Sequence, residues 1–247
     1  MGVIRWAGSA PALLLLAAAF CSAQDERRVT SPDGRIEFLL SFAQPDPGAP
    51  FQLAYQVSVR GQLFVDTSFL GLWIHNQEPI LGANLGLTAS RIETTEQYHS
   101  LAAEYMQNGS LGRRLTLEVR AYNEGVAFRY RVPRSLPLDE FLLDNEATEF
   151  SFAQALDPHA SLALPFVTRQ GEAGWAGILE VPVPHYPRLS LARLDEKTLV
   201  SDLAAGKRNS EAVLEAKTPL VSPWRVLLIG ATRERLNESG LLDSLRP

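Results

Sequence analysis

Beyond its first two dozen residues the sequence has no cysteine. The only one, Cys21, sits at the end of an apolar leader. A chain cleaved after Ala23 therefore has no thiol for a disulfide or a thiolate metal site. Long hydrophobic runs are missing too: the longest, Ala12 to Phe20, falls well short of the roughly 20 residues that cross a bilayer, so no membrane span is expected. No Gly-x-Ser-x-Gly elbow and no glycine-rich phosphate or dinucleotide fingerprint occurs. The four histidines, His75, His99, His159 and His185, are far apart and form no zinc motif. There is no excess of basic charge, 23 Lys and Arg standing against 28 Asp and Glu, which argues against nucleic acid or an anionic membrane surface as the main partner. With no internal repeat and no Gly/Ser linker, the chain reads as one domain.

What is present begins with a leader. Arg5, the apolar run and the small residues Cys21-Ser22-Ala23 have the form of a secretory signal peptide, so residues 1–23 are expected to be removed and the protein to be secreted or periplasmic. Bulky Phe20 argues against lipid attachment at Cys21. The leader takes away one arginine and no acid. The domain proper, 27–247, is long enough to bury roughly 70–75% of the surface its unfolded chain exposes.

Strand patterns dominate that domain. In Arg113 to Pro133, Leu115, Leu117, Val119 and Ala121 alternate with polar residues, and Val126, Phe128, Tyr130 and Val132 repeat the pattern after Tyr-Asn-Glu-Gly. This predicts a hairpin with positive φ at Gly125. Ser31-Pro-Asp-Gly34 reads as a turn before a strand over 35–42, and Arg60-Gly61 reverses a second hairpin. Residues 75–88 read as loop, Ala89 to Gly112 carries little periodicity, and Arg233 to Leu245 reads as one short helix with leucines on one side. Strand signals every eight to twelve residues predict an all-β sandwich or barrel.

Three groups of residues can carry chemistry. Asp144, Glu146 and Glu149 could be an acid/base set for glycoside hydrolysis, or a solvated face. Trp73, Trp175 and Trp224 could stack on a sugar ring, although each lies in an apolar run that suggests core packing. Glu180 interrupts an apolar strand just before Pro182 and Pro184. That strand must lie at an edge or leave the sheet, with the carboxylate at a rim either solvated or paired.

Four stretches together resemble the N-terminal domain of glycoside hydrolase family 97: Ser31-Pro-Asp-Gly34, Ser68-Phe-Leu-Gly-Leu72, Arg120-Ala-Tyr-Asn-Glu-Gly-Val-Ala-Phe-Arg-Tyr130, and Thr218-Pro-Leu-Val-Ser-Pro-Trp-Arg225 with Leu236 to Leu245 after it. The resemblance spans nearly the whole mature chain. It implies a large β-sandwich of the super-sandwich, galactose mutarotase-like type with a short C-terminal helix. It also implies an accessory, carbohydrate-binding role beside a (β/α)₈ barrel that cleaves α-glucosides or α-galactosides. The barrel holds the family's catalytic carboxylates, so no catalytic residue carries over to this chain. Glu180 matches a family glutamate that reaches a Ca²⁺ ion across the domain boundary, and Tyr186-Pro187 matches the turn after it. His185 stands where aspartate is usual, and Pro182 and Pro184 where small residues are usual. The implied partners are an α-linked oligosaccharide or polysaccharide and a separate glycoside hydrolase barrel. The alternatives are the N-terminal part of a split or truncated α-glucosidase or α-galactosidase, and a structural interaction domain without sugar binding.

Overall fold

The computed structural model describes residues 26–109, 112–136, 138–205, 212–237 and 239–246. The leader lies outside them. Strands β1 (Arg27–Thr30), β2 (Ile36–Ala43), β3 (Gln52–Val59) and β4 (Gln62–Phe69) pair in that order as an antiparallel sheet. Ser31 to Gly34 makes the first turn. Arg60 and Gly61, at φ of 51° and 75°, make the tight hairpin between β3 and β4. The chain then adds β5 (Leu72–Ile74) and β6 (Gln77–Leu81), followed by a meander of β7 (Leu85–Thr94), β8 (Tyr98–Gln107), β9 (Arg114–Tyr122) and β10 (Gly125–Val132).

The second half returns to these sheets. β11 (Glu140–Glu146) pairs with β5, and β12 (Glu149–Ser151) starts a three-stranded sheet. β13 (Phe166–Arg169) and β14 (Trp175–Val181) extend the large sheet. β15 (Leu191–Arg193) and β16 (Thr198–Ser201) join β12, and β17 (Leu214–Lys217) joins β11. β18 (Leu220–Val221) pairs with β10, while β19 (Trp224–Gly230) inserts between β14 and β10. The large sheet thus runs β13-β14-β19-β10-β9-β8-β7.

Alternation explains why the layers stack. Phe38 of β2 and Tyr55 of β3 stack at 5.0 Å, and Phe128 of β10 meets them from the large sheet at 6.1 and 5.2 Å. These rings centre the main core between the sheets. β19 is buried on both faces. Leu227 and Ile229 belong to the main core, while Trp224, Val226 and Leu228 belong to a second cluster capped by Leu236, Leu241 and Leu245. Its near-continuous apolar run follows from that double burial. The leucine-rich tail is two helices rather than one, α1 (Arg233–Asn237) and α2 (Leu241–Leu245), with Gly240 between them.

Two further segments differ from the sequence reading. Residues 75–88 contain β6 and the start of β7, and the weakly periodic 89–112 contains most of the β7–β8 hairpin, with ten residues in each strand. After Leu85, β7 is half-buried and then exposed along an edge of the sheet. Its pairing is a matter of backbone hydrogen bonds, and no buried face marks it in the sequence.

Candidate functional site

β14 places Glu180 directly opposite Arg225 of β19. The pairing of β13 ends at Ile178, so Glu180 has a strand neighbour on one side only. After Val181 the chain leaves the sheet at Pro182, as a residue without a ladder donor requires. The loop 182–190 folds back over the strand end. Leu189 N–H donates to Glu180 Oε2 at 3.1 Å, and Arg188 Nε lies 2.5 Å from Oε1. The Glu180 side chain is only 2% exposed. Of the two sequence readings, paired and solvated, the structure shows the paired one.

The principal partner is Arg225, which is completely buried with its head in the main core. Its Nη1 donates to Glu180 Oε2 at 2.6 Å. Its Nε and Nη2 make a bidentate fork on Glu146, at 2.9 Å to Oε2 and 2.7 Å to Oε1. Glu146 also accepts the Tyr186 hydroxyl at 2.7 Å and the Thr148 hydroxyl at 3.2 Å. Thr148 Oγ1 lies 2.8 Å from the Tyr130 hydroxyl, which accepts Gly71 N–H at 3.2 Å. The loop, the large sheet and the β11 sheet are therefore tied together by one polar chain.

Electrostatics sets the character of this centre. Burial alone would lower the Arg225 guanidinium, but the Glu146 carboxylate outweighs it and holds the group above its ordinary value. Burial, and then the same carboxylate, push the Tyr186 hydroxyl well up, so it stays a donor. One guanidinium faces two carboxylates, leaving the buried trio one negative charge in excess. The fourth charge is Arg188, whose side chain is 71% exposed at the loop mouth. Its N–H does not point at Glu180 Oε1, and that oxygen has no hydrogen-bond donor. A buried carboxylate oxygen with a net negative charge behind it suits a cation, and here the Arg188 guanidinium stands in that place. Ca²⁺ takes six to eight oxygens. Among the described residues no group of three Asp, Glu, His or Cys is placed to hold a metal.

The acidic trio of the sequence is not a trio in space. Asp144 pairs with His75 Nδ1 at 3.0 Å near the surface, Glu146 is in the core, and Glu149 accepts Phe69 N–H at 3.1 Å. A register shift between Leu143 and Asn145 turns Glu146 to the inner face, against simple alternation. Sequence reasoning missed Arg225 and the role of Tyr186, and it placed Glu146 in an acid/base set or on a solvated face rather than in the core against Arg225. The available signal was a lone charge inside each of two apolar strands, Glu180 in WAGILEV and Arg225 in WRVLLIG, with opposite signs. The tryptophans divide as well. Trp224 is buried beneath Arg129 and Arg120, at 4.3 and 5.0 Å, and Trp175 is half-buried. Trp73 leaves the core and is 42% exposed on β5, opposite Asn145 of β11.

The family profile described as Glycosyl-hydrolase 97 N-terminal matches residues 29–161 and 154–247. The chain belongs to that family. Among solved structures, a variant of a Glycoside Hydrolase Family 97 enzyme from Pseudoalteromonas sp. strain K8 superposes with a TM-score of 0.76 at 18% identity, covering 90% of this chain and 38% of that one. The enzyme from the same strain in complex with acarbose gives a TM-score of 0.75 at 17% identity, with the same coverage. A beta-arabinopyranosidase gives 0.67 at 18% identity, covering 83% of this chain and 40% of that one. At these identities the superpositions establish a shared fold. This family 97 N-terminal domain thus spans well under half the length of the enzymes it resembles. No curated protein matches the sequence.

Proposed function

We propose that this chain is a non-catalytic accessory module, exported by its leader, that supports a family 97 α-glycosidase barrel, contacts its α-linked oligosaccharide and lends it one Ca²⁺ ligand. The observation that carries this reading is the Glu180 carboxylate. It is held from within the core by Arg225, and one oxygen is left without a donor at the mouth of the 182–190 loop. Arg188, its own side chain 71% exposed, is the counter-ion there at 2.5 Å, and a divalent cation with the barrel's own oxygens takes its place. The test mixes the full chain with a family 97 barrel encoded beside it. Glu180→Gln is expected to raise the Ca²⁺ concentration needed for half-maximal hydrolysis about tenfold or more, with the circular dichroism spectrum unchanged. An unaltered Ca²⁺ requirement would remove Glu180 from the metal site.

Sugar contact is assigned to Trp73, whose exposed ring offers an apolar face to a pyranose. Calorimetry with maltoheptaose should give measurable heat that Trp73→Ala abolishes, with a thermal midpoint within about 2 °C of the parent. Heatless titration of the folded parent would favour the purely structural alternative. The split α-glucosidase or α-galactosidase reading rests on the coverage of 38% of the solved enzymes. Hydrolysis gained only on mixing the two chains supports it, and an unrelated neighbouring reading frame refutes it.

A further inference from the structure

The outer face of the large sheet carries a second feature that the metal and Trp73 readings do not use. Side chains at the registered positions of β7 to β10 form rows across the strands. One row is Arg91, Ala102, Glu118 and Arg129, and its neighbour sets Glu104, Thr116 and Arg131 side by side. Small residues, Ser100, Ala102 and Thr116, make the floor, and arginines make the walls. Two adjoining cavities of about 170 and 360 Å³ share Arg91, Ala102 and Glu118 and so form one continuous groove. With neighbouring strands about 4.8 Å apart, β7 and β10 are roughly 14 Å apart. From Arg114 to Arg120 the groove runs about 20 Å along β9.

Its charge opposes that of the chain. Six arginines line it against three glutamates, whereas the whole sequence carries a net charge of −5. Glu118 serves two guanidiniums at once, Arg129 at 2.6 Å and Arg131 at 2.8 Å. Burial raises the Glu118 carboxyl, but these two cations outweigh it and hold it below its ordinary value. Glu93 pairs with Arg91 in an exposed contact. Exposed Arg114 has no ion pair among the described residues. The far end is stiffened, because Arg120 lies over the Tyr98 ring at 4.6 Å and donates to Ser244 O at 3.2 Å. Guanidiniums already fixed on rings and carbonyls lose little freedom on binding, and their planar forks match carboxylates bidentately.

We propose that this groove binds a linear acidic oligosaccharide, its carboxylates taken by Arg114, Arg131 and Arg91 and its hydroxyls facing Ser100 and Thr116. The choice of a sugar chain over an acidic peptide follows from the small and hydroxyl side chains of the floor, Ser100, Ala102 and Thr116. It also rests on the reading that this domain meets carbohydrate. The experiment is calorimetry of the full chain with oligogalacturonate, maltoheptaose and poly-glutamate of similar length, at low and physiological salt. Oligogalacturonate is expected to bind, weakening as salt rises, and Arg114→Ala/Arg131→Ala to weaken it about tenfold or more with the thermal midpoint preserved. Arg114→Glu, at an exposed position, is a second variant expected to act in the same direction. No binding of oligogalacturonate, or binding indifferent to both variants, would overturn the proposal. Poly-glutamate binding as tightly would also overturn it by showing a site for charge alone. Maltoheptaose binding through Trp73 while oligogalacturonate fails would sink the groove and leave the accessory-module reading standing.

Discussion

Replacing Arg225 by methionine should lower the midpoint of thermal unfolding by roughly 6–20 °C. The variant keeps the volume of the side chain but strips Glu146 of its bidentate partner, at a depth where neither carboxylate is exposed by more than 2%. Removing one member of a buried pair costs about 3–5 kcal/mol because the other is left charged and uncompensated. For a domain of this size each kcal/mol moves the midpoint by about 2–4 °C. The Glu146→Leu/Arg225→Met double variant should recover much of the loss, since it no longer buries that lone charge. Differential scanning calorimetry of the single and double variants decides the matter. A single variant that melts within about 2 °C of the parent would mean that the network contributes little. The Glu180 carboxylate would also lose the donor that holds it from inside, so the same variant should weaken the Ca²⁺ response in the barrel mixture.

Gly125→Ala is expected to be the most damaging single methyl in the hairpin. Gly125 opens β10 at a φ of 151°, and an added Cβ would lie 2.2 Å from the carbonyl oxygen of Leu227 on β19. Both groups are backbone in the interior of the large sheet, so neither can swing aside. The expected cost is about 3 kcal/mol or more, or roughly 6–12 °C in the midpoint. Gly34→Ala is the control. It also has positive φ, at 71°, but nothing lies within 4 Å of the added Cβ, so only conformational strain of about 1–2 kcal/mol is expected. Equal losses in the two variants would show that dihedral strain, and not the contact with β19, sets the effect.

Much of the scaffold was legible in the sequence for identifiable reasons. In the β9–β10 hairpin every second residue of each strand faces the main core, and the turn at Arg60-Gly61 demands a backbone that glycine supplies, so alternation and turn chemistry agreed. β7 was illegible because an exposed edge strand has no buried face to leave a pattern. Glu146 was misplaced for a different reason. The register shift beside Leu143 inverts the parity of β11 after that point, and such a bulge leaves no mark in the order of side-chain types. The apolar neighbours of Trp73 suggest core packing over sugar stacking, yet Leu72 and Ile74 are buried on one face of β5 and the indole stands on the other.

The residues in their order determined a layered β domain of family 97 N-terminal type, because alternation of apolar side chains and the glycine turns are local properties that each segment carries within itself. They also marked Glu180 as a charge out of place in an apolar strand. Tertiary structure alone decided what that charge meets. Arg225 lies 45 residues further along the chain and reaches Glu180 only because β19 inserts between β14 and β10, and Glu146 joins them only through a bulge. Which charges share a low-dielectric space depends on strand order and register, which are set by the packing of whole sheets.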